Sequence, residues 1–240
     1  MIPLVFFINS KSVETGINMT QFLAIQNTYT HMQLALFNDQ AMVAFTEIDK
    51  QVASKECIIA LQELLEKNNT LFSQLSFIAV NQGPGPFTTL RVVISTVNGL
   101  SFSKKVPLIG INALEGFLKE YEDTPFQNKV IFLNAFGSDV YYALQRGHEI
   151  LLGCGSLQTI LEEFYQKIPH DPILFLGNGV EKYYTHINAT FGNRARFLDP
   201  NPQTVSLGQI GKMALQNWKE QENIAFELQP YYYKSAYPVL

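Results

Sequence analysis

Apolar and polar residues alternate three times in quick succession near the start of the chain, in QFLAIQN (21–27), HMQLALFN (31–38) and AMVAFTEID (41–49). A period of two puts successive side chains on opposite faces of a strand, and the short breaks leave room only for tight turns. An antiparallel meander is expected. The period then lengthens. Cys57, Ile58, Leu61, Leu64 and Leu65 recur at helical spacing, which predicts a helix over 53–67 with all five on one face, ended by the asparagines at 68–69. LSFIAVN (75–81) reads as a buried strand. After a glycine–proline loop, Leu90, Val93, Ile94, Val97 and Leu100 return to helical spacing. The β-branched residues there keep a strand open as the alternative, but a length of about fifteen residues favours a helix. Lys104 and Lys105 stand where they oppose the negative end of its dipole. VPLIGI (106–111) is the next strand, so strand, helix and strand predict a right-handed βαβ unit.

The second half repeats the mixture less cleanly. KVIFLNAF (129–136), DVYYALQR (139–146) and EILLGC (149–154) read as strands, and PILFLG (172–177) as a short buried one. Segment 156–168 is a helix with Leu157, Ile160, Leu161 and Phe164 facing inward, and 205–221 is a late helix. Gly208 and Gly211 weaken that late helix by about 1 kcal/mol each relative to Ala unless they serve close packing. QPYYYKSAYPVL closes the chain as an extended tail, and no solenoid period is visible. The natural reading is an α/β protein of two lobes, 19–112 and 113–240. YEDTPFQN acts as a linker near the boundary, and helix 205–221 is free to pack back on the first lobe.

Composition narrows this little. The 240 residues are 47% hydrophobic and 16% charged, a globular balance with room for a sizeable core. A net charge of −4 sets up no global field for nucleic acid, which leaves RNA to a local patch or to a partner. Cys57 and Cys154 are too few and too far apart for a disulfide framework or a zinc pattern, so both are expected reduced, as in a cytoplasmic protein. The apolar run Ile2–Ile8 has no basic residue before it, and no run approaches the roughly twenty residues of a membrane span. Met19 opens a stretch that reads at once as strand, so the domain is expected to start there, with 1–18 as an extension.

The loop NQGPGPFTTLR (81–91) raises the question of chemistry. A phosphate cradle aims backbone N–H groups at one point, and Pro84 and Pro86 have none. Neither GxxxxGK[ST] nor GxGxxG is present. A rigid turn is the first reading, a contact surface for another macromolecule the second and a phosphate site the third. In the turn reading Gly83 and Gly85 take positive φ, so that Gly85→Val should harm folding, and Thr88 or Thr89 caps the helix. Arg91, in the first turn, opposes the dipole and needs a carboxylate, a cluster of carbonyls or an anion to offset it.

GPGPFTTLR resembles the GPGSFTGLR signature of the TsaB (YeaZ) family, which is needed to make threonylcarbamoyladenosine in tRNA. FLAIQNTYTHMQLALFND is similar to that family's opening strand–turn–strand, VPLIGINALEGF follows the signature at the expected distance, LNAFGSDVYYAL resembles its later strand pair, and QPYYYK resembles its closing segment. The resemblance runs from about Met19 to the C-terminus and is stronger before residue 145. It implies a two-lobed actin-like fold with mixed sheets and flanking helices. The departures are chemical. Pro86 and Thr89 stand where the family has Ser and Gly, Gln26 and Asn27 where it has Asp-Thr, and Asn134, Ala135 and Phe136 where it has Asp-Ala-Arg. In the wider superfamily the carboxylate at the first turn positions metal and nucleotide, a task an amide cannot do.

The resemblance therefore implies a non-catalytic subunit with no cofactor of its own. It binds and activates a TsaD-type catalytic subunit, works beside a TsaE-type ATPase, leaves ATP and Mg²⁺ to those partners, and meets tRNA only through the complex. A homodimer is a further expectation. The implied motif loop is Gly83, Pro84, Gly85, Phe87, Thr88 and Arg91. The implied interface uses helices 53–67 and 88–103 through Cys57, Leu61, Leu64, Thr89, Val92, Thr96 and Gly99. Small and β-branched residues on the second stripe of helix 88–103 would let a partner helix come close.

Duller readings stand beside these. Cys57 is first a core residue and only then a nucleophile. Glu162 and Glu163 are solvated neighbours on a helix, and Asp139 is a turn residue. Tyr231, Tyr232 and Tyr233 with Lys234 pack on their own domain before they stack on RNA bases. His31, His148, His170 and His186 form no ligand cluster, and the HxxxH pair of the catalytic relatives is missing, which counts against a metallopeptidase and a transferase. The rival from another class is an ATP-dependent small-molecule kinase of the same superfamily.

Overall fold

The structure, a computed structural model, describes residues 19–168 and 170–233. The extension 1–18 and Lys234 of the tail lie outside them. Strands β1 (Gln21–Asn27), β2 (His31–Asn38) and β3 (Ala41–Asp49) form the expected meander, with Leu23 opposite Leu36 and Ile25 opposite Leu34. β4 (Phe77–Gly83) runs parallel to β1 on its other side, and β5 (Leu108–Asn112) parallel to β4. Every β4 residue is buried, which explains its unbroken apolar start. Helices α1 (Ala53–Lys67) and α2 (Phe87–Lys104) lie side by side on one face of this sheet, α1 over β2 and β3, α2 over β1, β4 and β5. The βαβ unit is as expected.

The inward stripe of α1 is Ala53, Cys57, Leu61, Leu64 and Leu65. Ile58, placed on that stripe by its spacing, is 49% exposed, as is Ile59 at 58%. Steps of 100° per residue carry 59 round to solvent once 57, 61 and 64 face in, and leave 58 at the edge of the stripe. Asn69, with φ of 50°, supplies the left-handed residue beyond the helix.

The second lobe repeats the first. Strands β6 (Asn128–Asn134), β7 (Asp139–Arg146) and β8 (Glu149–Ser156) make another antiparallel meander, and β9 (Ile173–Leu176) and β10 (Ala195–Phe197) add in parallel. Outward from its first strand, each sheet places strands two and three on one side and strands four and five on the other. That shared order fits the expected two-lobed actin-like α/β fold. It survives in topology where the sequence shows no repeat. A short β11 (Ile224–Ala225) extends the first sheet along β5.

Helix α3 (Ala113–Glu120), which the hydrophobic pattern did not single out, leads from β5 toward the second sheet. α4 (Leu157–Lys167) shows the expected inward face and packs with α5 (Asn178–Phe191), also unforeseen, on the outer side of that sheet. α6 (Leu207–Glu220) lies with α3 between the two sheets. The layers thus run α1–α2, first sheet, α3–α6, second sheet, α4–α5. The late helix does pack on the first sheet. Phe22 stacks between Phe37 and Phe77 at centroid distances of 4.9 and 4.4 Å, and Trp218 of α6 sits 5.1 Å from Phe77. A Cβ on Gly211 would stand 2.7 Å from the Phe37 ring, so this glycine is there for close approach.

Candidate functional site

Gln26, at the C-terminal end of β1, is 1% exposed and sits in a chain of amides. Its Nε2 donates to Gln33 Oε1 at 2.8 Å and to the Val205 carbonyl at 3.3 Å. Its Oε1 accepts from Asn81 Nδ2 at 3.1 Å, and Asn81 Oδ1 in turn accepts the Gly83 amide at 2.9 Å. Asn27 Nδ2 donates to the Thr89 carbonyl in the first turn of α2. The two residues that replace the family's Asp-Thr are therefore structural ties. They join β1 to β2, β4, α2 and the segment before α6, and no carboxylate is offered.

A cavity of about 500 Å³ opens between the lobes, with Thr28, His31, Gln33, Phe45, Asn178 and Gln203 on its walls. No Asp, Glu, Lys or Arg among the described residues lines it. At its far side the turn into α5 has Gly177 at φ of 100°, where a Cβ would run into the Phe132 carbonyl. The amides that an anion would use there are taken: Gly177 N–H donates to the Pro202 carbonyl and Asn178 N–H to that of Gln203, both at 3.0 Å. Tyr29 OH crosses the cleft to donate to the Asn134 carbonyl at 2.8 Å, and burial pushes its phenol far above the ordinary tyrosine range. Asn134, in the family's Asp position, accepts Lys182 Nζ on its Oδ1 at 3.1 Å.

The signature loop is a turn, built differently from expectation. Gly83 alone takes positive φ, at 100°. Gly85 does not, and nothing lies within 4 Å of where its Cβ would be. The reason given for expecting harm from Gly85→Val does not hold. The peptide Gly83–Pro84 is cis, and Pro84 and Pro86 are buried while Phe87 and Thr88 are exposed. Pro86, not a threonine, is the N-cap, and α2 has no side-chain cap. Thr88 lies inside the helix, and Thr89 Oγ1 donates backward to the Pro86 carbonyl at 3.1 Å. Arg91 finds neither a carboxylate nor carbonyls among the described residues. Its guanidinium lies 3.8 Å from the centroid of the Phe87 ring, and its Nε donates to Tyr232 OH at 2.9 Å.

The tail that carries Tyr232 is strapped along α2. Asn98 exchanges two hydrogen bonds with the Leu228 backbone (3.0 and 2.9 Å), Ser101 Oγ donates to the Phe226 carbonyl at 3.0 Å, and the Tyr231 amide donates to the Gln82 carbonyl at 2.9 Å. Tyr233 OH accepts from Asn112 Nδ2 at 2.8 Å.

The proposed interface residues separate into two groups. Cys57, Leu61 and Leu64 are 2, 4 and 6% exposed and packed on the sheet, so they cannot be reached by a partner. Burial raises the Cys57 thiol to about 11, which leaves it unreactive at neutral pH. On α2, Thr89, Val92 and Thr96 are half-buried and Gly99 is exposed, while Leu90, Val93, Ile94 and Val97 face in. That outer stripe, with Ile58 and Ile59 of α1, is what the two helices present outward. His31 is half-buried at the cleft rim, His148, His170 and His186 are exposed, and no group of three metal-ligating side chains occurs among the described residues. Nor is any described helix long and apolar enough to cross a membrane.

Comparison with known proteins agrees with this fold. The family model described as TsaD: tRNA N6-adenosine threonylcarbamoyltransferase matches residues 47–231. The TsaB biosynthesis protein of Buchnera aphidicola subsp. Acyrthosiphon pisum is 24% identical over 125 residues, which span 50% of this chain and 55% of that relative. Its counterpart from Buchnera aphidicola subsp. Schizaphis graminum is 26% identical over 191 residues, 76% of this chain and 90% of the relative. The chain thus spans little more than half the length of the first of these relatives and most of the second. A crystal structure from Pseudomonas aeruginosa, described as an uncharacterized protein with similarity to peptidase YEAZ, superposes with a TM-score of 0.71 at 19% identity. It covers 90% of this chain and 100% of its own.

Proposed function

Because the chain belongs to the TsaD tRNA N6-adenosine threonylcarbamoyltransferase family, and within it to the TsaB/YeaZ proteins of threonylcarbamoyladenosine biosynthesis, we propose that it is a non-catalytic subunit of that machinery. Its partner is a TsaD-type catalytic subunit, which it holds in one active arrangement through the outward faces of α1 and α2. ATP and Mg²⁺ sit on that subunit and on a TsaE-type ATPase, tRNA reaches the complex rather than this chain, and a homodimer would use the same face. The observation that carries the reading is the split of α2. One stripe is consumed by its own lobe, the opposite one is small, β-branched and half-buried to exposed, and α1 exposes two isoleucines. A helix apolar on two sides is shared with a partner when one side reaches solvent. Two helices of about four turns can supply the roughly 800 Å² per partner of a standard interface.

The neutral cleft supports the same reading against phosphoryl transfer. Amides stand where Mg²⁺ would need a carboxylate, and the chain's own 202–203 carbonyls occupy the donors at the start of α5. The test is co-purification with the catalytic subunit of the same cell. Val92→Glu and Gly99→Arg should each lower recovery at least tenfold while the circular dichroism and melting of the chain stay unchanged. Folded variants that co-purify like the wild type would remove the assignment, and so would turnover of Mg-ATP by the isolated chain.

A further inference from the structure

Arg91 is held in a way that a surface arginine has no structural need for. Its side chain reaches solvent, yet the guanidinium carbon lies 3.8 Å from the Phe87 centroid and 5.8 Å from that of Tyr232, and Nε is fixed by the 2.9 Å hydrogen bond to Tyr232 OH. Phe87 and Tyr232 stand 5.4 Å apart, and both are exposed, at 40 and 49%. The ring carrying that hydroxyl is itself anchored. The strap behind it is pinned by Asn98 to Leu228 and by Gln82 to Tyr231, so three segments of the chain converge on one side chain. Among the described residues Nη1 and Nη2 have no hydrogen-bond partner, and no acidic residue sits in the first turn of α2. The result is a charged fork, pre-set in direction, whose terminal donors are still to be satisfied.

We propose that Arg91, stacked on Phe87 and tied to Tyr232, is the anchor of the partner interface and receives a carboxylate side chain from the partner protein. The proposal rests on the reading of α1 and α2 as the docking face and extends it to the N-terminal end of α2 and the strap. The geometry suits a carboxylate, because two parallel N–H groups match its two oxygens and stacking has already removed much of the side-chain entropy that binding would otherwise cost. Arginine framed by exposed aromatics is also the composition of an interface hot spot. Nucleic acid is the weaker candidate. A phosphate chain needs several cations in a row, but the groove running from Arg91 is continued by Ser95, Asn98, Gln229 and Tyr232, all neutral, and the chain carries a net charge of −4.

The test measures affinity for the TsaD-type catalytic subunit with wild type, Arg91→Gln, Arg91→Lys, Tyr232→Phe and the control Gly99→Arg, at low and high salt. Arg91→Gln should weaken binding about 30-fold, and Arg91→Lys should recover only part of it, because an ammonium cannot grip both oxygens. Tyr232→Phe should cost several-fold, and the salt dependence of the wild type should be absent in Arg91→Gln. If Gly99→Arg abolishes binding while Arg91→Gln binds as wild type does at both salts, the anchor is refuted and the docking face stands. If the wild type does not bind, both fall. Loss of single-stranded RNA retention in Arg91→Gln with partner affinity unchanged would overturn the carboxylate in favour of phosphate. An Arg91→Gln penalty that vanishes on deleting residues 234–240 would assign the fork to the chain's own C-terminus and refute the partner carboxylate.

Discussion

Two glycines of one loop do opposite jobs. Gly83 holds φ at 100° with Leu90 pressed to within 2.8 Å of where a Cβ would stand, whereas Gly85 is unstrained and open. Gly83→Ala should therefore lose roughly 1–3 kcal/mol in urea unfolding, and Gly85→Ala should stay within about 0.5 kcal/mol of wild type. Equal losses would show that the turn is held by something other than the Gly83 backbone. Cys57 gives a second expectation at this scale. Its thiol is raised from 9.0 to about 11 by burial, so the folded chain keeps a proton that the unfolded chain gives up. A folded value above the unfolded one means full stability below pH 9 and loss as pH climbs toward 11. Melting temperature against pH should fall over that window, and Cys57→Ala should flatten the fall whatever it does to the midpoint at neutral pH.

Along α1 the same arithmetic separates fold from assembly. Leu61 is enclosed, so Leu61→Ala should cost about 2–5 kcal/mol of stability. Ile59 is exposed, so Ile59→Asp should leave melting alone and weaken partner capture. The reverse pattern in melting and pull-down would show the helix turned the other way. The elements legible in the sequence were those with two full periods of pattern and a lobe face to themselves, and β1 to β3, α1 and α4 came through on that basis. α3 was missed because eight residues hold little more than two turns and its neighbours are apolar on every side. The signal present was local: Asn112 accepts the amides of Leu114 and Glu115, and an asparagine followed three residues later by Glu marks a helix start. α5 begins at a glycine pair that reads as loop, Gly177 and Gly179, each pressed against Phe132. In the candidate site the glycine turn and the inward face of α2 were visible in the pattern. The partners of Arg91 were not, since no periodicity relates residue 91 to residue 232.

Across the whole molecule the lobes share a core between their sheets, besides the one each keeps under its outer helices. One cluster runs from Phe22, Phe37 and Phe77 of the first sheet through Phe117 of α3 and Ile210 of α6 to Ile131, Leu133 and Leu176 of the second. Tyr29 adds a hydrogen bond across the cleft. Enzymes that close lobes around a substrate need an interface that can slide or hinge, and a shared close-packed core resists that. A chain whose task is to hold a partner in one geometry gains from the stiffness. The consequence can be measured, because the only tryptophan, Trp218, sits on α6 against Phe77 at the seam between the sheets. Heating should unfold the chain in a single transition, with tryptophan fluorescence and far-ultraviolet circular dichroism superimposed. Gly211→Ala, which drives a methyl into the Phe37 ring, should move both curves down together by roughly 3–8 °C, the shift of a 1–3 kcal/mol overpacking in a chain of this size. Fluorescence that changes well before the dichroism would mean the seam opens first. The lobes would then move independently, and the proposal that this chain supports a partner rigidly would have to give way to one in which the cleft opens and closes.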